Sequence, residues 1–126
     1  MARRARDGQE AAQAVSKRAE RVNRPLKKAE FEIRFATREA QKGWTDLLAT
    51  TRNSVVAAWE YLTATPLAQT ERNHPMRAEL EFIVRDGNRY PRWQHELPGG
   101  ARIWFYVDES IVWLVDVHTR HLNQTK

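Results

Sequence analysis

The sequence predicts an α+β domain in which one strand and a helical hairpin precede an antiparallel meander of three to four strands. In the first half of the chain apolar residues recur with the period of a helix, whereas in the second half they recur with a period of two. The turn sequences Asp86-Gly87, Gly99-Gly100 and Asp108-Glu109-Ser110 divide the second half into short runs. Because such loops are too short for a crossover, neighbouring runs are expected to pair as antiparallel strands.

The meander is predicted from three runs rich in β-branched and aromatic residues, which favour strands. In the middle run, strict alternation places Arg102 and Trp104 on the face opposite Ile103. In the last run the same alternation places His118 on the side of Leu114, in alternation with Val115 and Val117. The three runs are 89–97, 101–107 and 111–118.

A shorter run from Leu80 to Val84 alternates apolar and charged residues, with Leu80, Phe82 and Val84 forming its apolar side. It is expected to pair with the run 89–97 across the turn Asp86-Gly87-Asn88.

Two helices are predicted upstream, after a half-buried strand over residues 31–35. Thr37 is the expected N-cap of the first helix and Thr51 or Asn53 that of the second, and Pro66 ends the second helix. The apolar residues with helical spacing are Trp44, Leu47 and Leu48 in the first helix and Val55, Val56, Trp59 and Leu62 in the second.

The net positive charge is distributed unevenly along the chain, and this distribution indicates two parts. Residues 1–30 contain nine Lys and Arg against four Asp and Glu, whereas residues 31–126 contain twelve of each, so the formal net charge of +5 belongs to the first part. We expect residues 1–30 to be a basic extension, helical or disordered, and residues 31–126 to be the folded domain. The extension either contacts RNA phosphates through counterion release or serves as a solubilising tail.

Composition excludes several classes of chemistry. With no cysteine, the chain has no disulfide and no thiolate nucleophile or ligand. No apolar run approaches the length that spans a membrane, so a cytosolic protein is expected. His118-x-x-His121 lacks an evident third ligand, so neither a metal nor another cofactor is expected.

The predicted end of the last strand, His118-Thr119-Arg120-His121, combines two imidazoles with a guanidinium. Cleavage of RNA without a metal requires a base for the 2′-hydroxyl, cations for the phosphorane and an acid for the departing 5′-oxygen. Imidazole titrates near neutral pH, and the planar fork of arginine matches phosphate oxygens. The strand end therefore predicts proton transfer beside a phosphate.

Two motifs carry a resemblance to a known family: Pro75-Met76-Arg77-Ala78-Glu79-Leu80 before the meander, and the stretch from Gly100 to Asp108, which reads GARIWFYVD, inside it. With the order strand, helical hairpin and meander, residues 31–121 resemble the RelE/ParE toxin superfamily. The RelE branch comprises ribosome-dependent mRNA endonucleases that a partner antitoxin neutralises, whereas ParE relatives act on DNA gyrase. The resemblance implies a RelE-like toxin of a type II toxin-antitoxin system that inhibits translation.

The resemblance also implies roles for the basic residues of the meander. Arg102 matches the arginine that binds the scissile phosphate, and Arg120 matches a second phosphate-stabilising arginine. Further basic residues in or beside the meander are candidates for RNA binding. They are Arg85, Arg89, Arg92 and Lys126.

The histidines are the candidates for proton transfer. The resemblance places His74 where relatives carry a general base and His95 at a position that is often basic. Relatives end in a catalytic Tyr or His, and because no tyrosine follows Tyr106 here, His118 or His121 would act as the acid.

Other readings of the same residues stay open. A ParE-like toxin would need no catalytic imidazoles, and a non-catalytic module would bind RNA or protein through the sheet face or the basic extension. Trp93 and Trp104 either stack RNA bases or pack in the core, and core packing is the better expectation for large aromatics on a sheet.

Overall fold

A computed structural model describes residues 30–119 of the chain, so the extension before Glu30 and the candidates Arg120, His121 and Lys126 lie outside the described residues. The described part contains two helices and seven strands. The elements are β1 (Glu32–Phe35), α1 (Arg38–Thr50), α2 (Arg52–Ala64), β2 (Asn73–Pro75), β3 (Phe82–Arg85), β4 (Asn88–Pro91), β5 (Trp93–Glu96), β6 (Arg102–Asp108) and β7 (Ile111–His118), with a 3₁₀ turn at Ala78–Leu80.

The predicted α+β class is confirmed, because two helices pack on a mixed sheet. Five strands form this sheet in the order β1-β7-β6-β5-β2. The pairs β2–β5, β5–β6 and β6–β7 are antiparallel, whereas β1 runs parallel to β7. Strands β3 and β4 form a separate hairpin that closes at Asp86-Gly87. In residues 30–119, no helix is long and apolar enough to cross a membrane.

The predicted helix boundaries follow from local chemistry. Thr37 is the N-cap of α1, and its hydroxyl accepts a 3.0 Å hydrogen bond from the Ala40 amide, as expected. The same hydroxyl donates to the Val115 carbonyl at 2.7 Å, which joins the start of α1 to the sheet. Thr51 occupies the N-cap position of α2 without a side-chain capping bond. The second helix ends at Ala64, two residues before Pro66.

The main core lies between the helices and one face of the sheet. Leu47 of α1 and Leu62 of α2 are buried against Phe105 and Leu114 of the two central strands. The buried members of this cluster are Ala40, Leu47, Val55, Ala58, Leu62, Leu97, Ala101, Ile103, Phe105, Val112, Leu114 and Val117.

A smaller cluster occupies part of the opposite face, where the β3–β4 hairpin folds over the sheet. Ile83 of the hairpin packs with Tyr106 and Val115. The rings of Tyr90 and Tyr106 are stacked with centroids 4.6 Å apart, and the Tyr90 hydroxyl donates to Asp108 Oδ2 at 3.2 Å. The hairpin therefore covers only the end of the face near the β6–β7 turn.

The predicted run 89–97 is not one strand. It is interrupted at Arg92, whose amide donates to the Glu81 carbonyl instead of joining the five-stranded sheet. The residues before Arg92 form β4 in the hairpin and those after it form β5 in the main sheet. A continuous strand would place β4 beside β6, and the break allows β4 to cross over the face of the sheet.

The predicted apolar side of the run from Leu80 to Val84 is also wrong, although its pairing with residues 88–91 is confirmed. Leu80 lies in the 3₁₀ turn, and Phe82 and Val84 are 37% and 64% exposed, whereas Ile83 is buried. The hairpin packs on the sheet through the face that carries Ile83, because that face meets Tyr106 and Val115.

A β-bulge in β7 changes which side chains share a face. Trp104 is opposite Asp116, and the next residue, Phe105, is opposite Leu114, so Val115 is an extra residue on β7. Because the bulge shifts the alternation by one, Val117 joins the core and His118 lies on the opposite face. The expectation that His118 points to the side of Leu114 is therefore wrong.

Candidate functional site

The part of the sheet face opposite the helices that the β3–β4 hairpin does not cover contains two of the predicted site residues side by side. Arg102 on β6 is directly opposite His118 on β7. The adjacent row on the same face runs across four strands, from His74 through Gln94 and Trp104 to Asp116. We refer to this surface as the open face, and its residues are His74, Gln94, Arg102, Trp104, Asp116 and His118.

Gln94 connects Arg102 and Trp104 on the open face. Its side chain is 5% exposed, and its Oε1 accepts hydrogen bonds from Trp104 Nε1 at 3.0 Å and from Arg102 NH1 at 3.4 Å. A buried carboxamide whose oxygen accepts two hydrogen bonds has a defined orientation, because a change of rotamer would lose both bonds. Gln94 therefore holds the Arg102 guanidinium and the Trp104 indole in a fixed relation.

His118 packs against Trp104, with ring centroids 4.5 Å apart in an edge-to-face arrangement. Its Nε2 atom is buried and has no hydrogen-bond partner among residues 30–119. Burial lowers the pKa of His118, the nearby Asp116 carboxylate opposes that change, and the positive charge of Arg102 adds to it. The lowered pKa favours a neutral imidazole at neutral pH.

A groove borders the open face on the side of β2. It has a volume of about 490 Å³, and its walls include His74, Gln94 and Arg102. His74 and Arg102 lie two strands apart, about 10 Å by the usual inter-strand spacing. His74 Nδ1 lies 3.1 Å from the Pro75 carbonyl oxygen. Two sequence-predicted candidates, one histidine and one arginine, therefore line one cavity.

His95 lies on the other face of the sheet, under the helices. Its Nδ1 is 3.1 Å from Asn73 Oδ1, and its ring is 5.0 Å from that of Tyr61. Asn73 Nδ2 donates to the carbonyls of Pro66 and Ala68, so the Asn73 oxygen must accept and His95 Nδ1 must carry the proton. Burial lowers the pKa of His95 to about 4. The structure separates His95 from Arg102 and gives its ring a structural contact.

The predicted RNA-binding arginines lie at different places. Arg85 and Arg89 lie on the β3–β4 hairpin. Arg85 donates to the Ala36 carbonyl at 3.1 Å, and the Arg89 guanidinium lies 4.1 Å from the centre of the Phe82 ring. Arg92 adjoins the open face, with its guanidinium 5.7 Å from the centre of the Trp104 ring.

The two tryptophans considered for base stacking have different surroundings. Trp93 packs on the helix-covered core and lies 6.3 Å from Phe105, as expected for core packing. Trp104 belongs to neither hydrophobic cluster, and it contacts the site groups His118 and Arg92 instead. Trp104 therefore packs against the side chains of the open face and helps to fix the position of the His118 ring.

Sequence reasoning missed Gln94 and Asp116 as site residues. Gln94 stands between Trp93 and His95 in a strand, and no spacing rule distinguishes a buried glutamine from a solvated one. Asp116 reaches the open face only because of the bulge at Val115. Among residues 30–119, no group of three or more His, Asp or Glu side chains is placed to hold a metal ion.

Comparison of the chain with protein-family models, with curated proteins and with solved structures gives no match.

Proposed function

We propose that the protein is a RelE-like toxin of the RelE/ParE superfamily and type II toxin-antitoxin class, which cleaves mRNA on the ribosome and thereby inhibits translation. The observation that supports this proposal most strongly is the direct opposition of Arg102 and His118 on the sheet face that the helices do not cover. A guanidinium beside an imidazole supplies two of the three groups that the cleavage requires, a cation for the phosphate and one group for proton transfer. No cofactor is needed for this chemistry.

The reaction follows from the charges of the two groups. The 2′-oxygen of the RNA attacks the adjacent phosphorus, the bond to the 5′-oxygen breaks, and the products are a 2′,3′-cyclic phosphate and a 5′-hydroxyl. Arg102 stabilises the charge that accumulates on the phosphorane oxygens. The resemblance implies that His118 or His121 acts as the acid, but burial lowers the pKa of His118, so we propose its neutral imidazole as the base that accepts the proton of the 2′-hydroxyl. His121 would protonate the departing oxygen, since His74 lies three strands from His118, about 14 Å by the usual inter-strand spacing.

The proposed partners are mRNA in the ribosome, which orients the substrate, and an antitoxin protein that neutralises the activity. The place of action is the cytoplasm, where translation occurs. Arg92 beside Trp104 would add a second positive charge along the path of the RNA, since phosphate contacts supply affinity that is independent of sequence.

The test is mRNA cleavage in a cell-free translation system, with 5′ ends of a reporter mapped for wild type, Arg102→Ala and His118→Ala. The matched control is Arg52→Ala, because Arg52 is an exposed arginine at the start of α2. We expect ribosome-dependent cuts from wild type and the control, and at least about a 100-fold slower reaction from the other two.

Because His121 could substitute for His118, the double variant His118→Ala/His121→Ala completes the series. An intact reporter and continued translation with wild-type protein would refute the proposal. A DNA gyrase supercoiling assay would then distinguish a ParE-like toxin from a non-catalytic binding module.

A further inference from the structure

The groove beside Arg102 is larger than one phosphate group requires. Its volume of about 490 Å³ is within the range of roughly 300–1,000 Å³ that is usual for pockets that bind small molecules. Arg102 lies at one part of the wall, and Thr70 before β2 and His74 within β2 form another. A ligand that fills this groove and reaches Arg102 would therefore be larger than a phosphate and would carry polar atoms that face Thr70 and His74.

The lining residues indicate the chemistry of such a ligand. Arg77, Arg102 and His74 can carry positive charge, whereas Glu71 is the single acidic residue of the lining. The other polar groups, on Gln94, Gln69 and Thr70, are neutral donors or acceptors. This balance favours an anion with a neutral, hydrogen-bonding body over an apolar ligand.

Two of these polar groups have fixed positions. Gln94, which is 5% exposed, accepts a 3.4 Å hydrogen bond from Arg102 NH1 and thus holds the guanidinium at the wall of the groove. The Thr70 hydroxyl oxygen accepts from the amides of Arg72 and Asn73 at 3.2 and 3.1 Å. Because both bonds use its lone pairs, the Thr70 proton is the part of that hydroxyl suited to donate to a ligand.

We propose that this groove binds one nucleoside monophosphate unit of single-stranded RNA, with the phosphate at Arg102 and the nucleoside extending toward Thr70 and Met76. This inference rests on the proposed function, because it identifies the groove as the place of the nucleotide next to the cleaved phosphate. The nucleoside accounts for the volume and for the neutral polar groups, and the exposed Arg77 supplies a further positive charge on the groove wall.

The experiment is a titration of the full-length, isotope-labelled protein, followed by NMR chemical shifts of backbone amides and of the Gln94 and Trp104 side chains. The probes are adenosine 3′-monophosphate, adenosine 5′-monophosphate, adenosine and inorganic phosphate at equal ionic strength. We expect at least one monophosphate to shift Thr70, Met76 and Gln94 together. That monophosphate should bind about tenfold more tightly than adenosine or phosphate, since each lacks one set of contacts.

The matched pair of variants is Arg77→Gln and Arg72→Gln. Both arginines are exposed and belong to the same segment, but only Arg77 lines the groove. We expect Arg77→Gln to weaken binding of the monophosphate about tenfold, the effect of losing one charge-assisted contact, and Arg72→Gln to leave it unchanged.

Two results would overturn the inference: shifts that spare Thr70 and Met76, or equal affinities for phosphate and both monophosphates. Either result leaves the proposed function intact if the reporter mRNA is still cleaved. Nucleotide binding in the groove by a protein that cuts no mRNA would instead support the groove and refute the nuclease.

Discussion

Arg102 and His118 face each other across β6 and β7, and an extra residue in β7, Val115, creates this opposition. Trp104 packs edge to face on the His118 ring, and Gln94 accepts hydrogen bonds from both Trp104 and Arg102. The four side chains thus form one connected unit, in which a change at any member alters the electrostatics of the imidazole.

The pKa of His118 is expected to respond in opposite directions to its two charged neighbours. Arg102→Ala removes a positive charge and should raise the pKa, whereas Asp116→Asn removes a negative charge and should lower it. The measurement is an NMR titration of the His118 ring, assigned by comparison with His118→Gln. Equal pKa values in wild type and both variants would mean that burial alone sets the protonation of the ring.

Replacement of Gln94 is expected to loosen the Trp104 indole. Gln94→Met keeps the approximate shape of the side chain but removes the acceptor of the Trp104 Nε1 bond, so the variant should lose about 1–2 kcal/mol of stability and show a shifted indole N–H resonance. Gln69→Met changes a glutamine elsewhere on the groove wall and is the matched control. An unchanged Trp104 indole resonance in Gln94→Met would contradict the bond.

The stability of the protein should fall in acid partly because of His95. Burial lowers its pKa from 6.5 to about 4, so the folded state resists protonation that the unfolded chain accepts. The contribution of neutral His95 to the free energy of unfolding is complete above pH 6.5 and is lost as the pH falls toward 4. After allowance for solvent screening of a half-buried ring, the loss is about 2 kcal/mol.

Urea unfolding at pH 7 and pH 4 checks this contribution in wild type and in His95→Gln, which can still bond Asn73. The free energy of unfolding should decrease by about 2 kcal/mol less in the variant, because glutamine does not titrate. Equal decreases in both proteins would show that other groups cause the acid sensitivity.

Gly43→Ala is expected to destabilise the fold, because α1 lies directly on β7 at this position. A Cβ atom on Gly43 would lie 2.9 Å from Val117 Cβ and closer still to the Val117 carbonyl oxygen. The overlap should cost about 1–3 kcal/mol and exceed the gain of up to about 1 kcal/mol that alanine brings to a helix interior.

Thermal or urea unfolding measures this change, and Lys42→Ala, at an exposed neighbouring position of the same helix, is the control. A stability of Gly43→Ala equal to or above that of wild type would show that the helix can move away from the sheet at little cost.

Local chemistry was sufficient to predict the helices and most turns. Thr37 caps α1 as expected, and Asp86 and Gly87 both have positive φ angles, 53° and 81°, as a tight hairpin turn of this composition requires. The hydrophobic pattern also predicted β1, β6 and β7 at or within one residue of their bounds. Three-residue β2 gave no signal, because a strand that short and ending in Pro75 has no measurable period.

By itself, the sequence determined the α+β class and the presence of Arg102 and His118 on neighbouring strands, because caps, turns and alternation act over a few residues. Only the tertiary structure decided which face each side chain occupies. The bulge at Val115 brings His118 to Arg102, and the break at Arg92 directs the hairpin over one end of the sheet, away from the open face. Both features follow from how the sheet packs on the helices and on the hairpin, and those contacts join residues far apart in the chain.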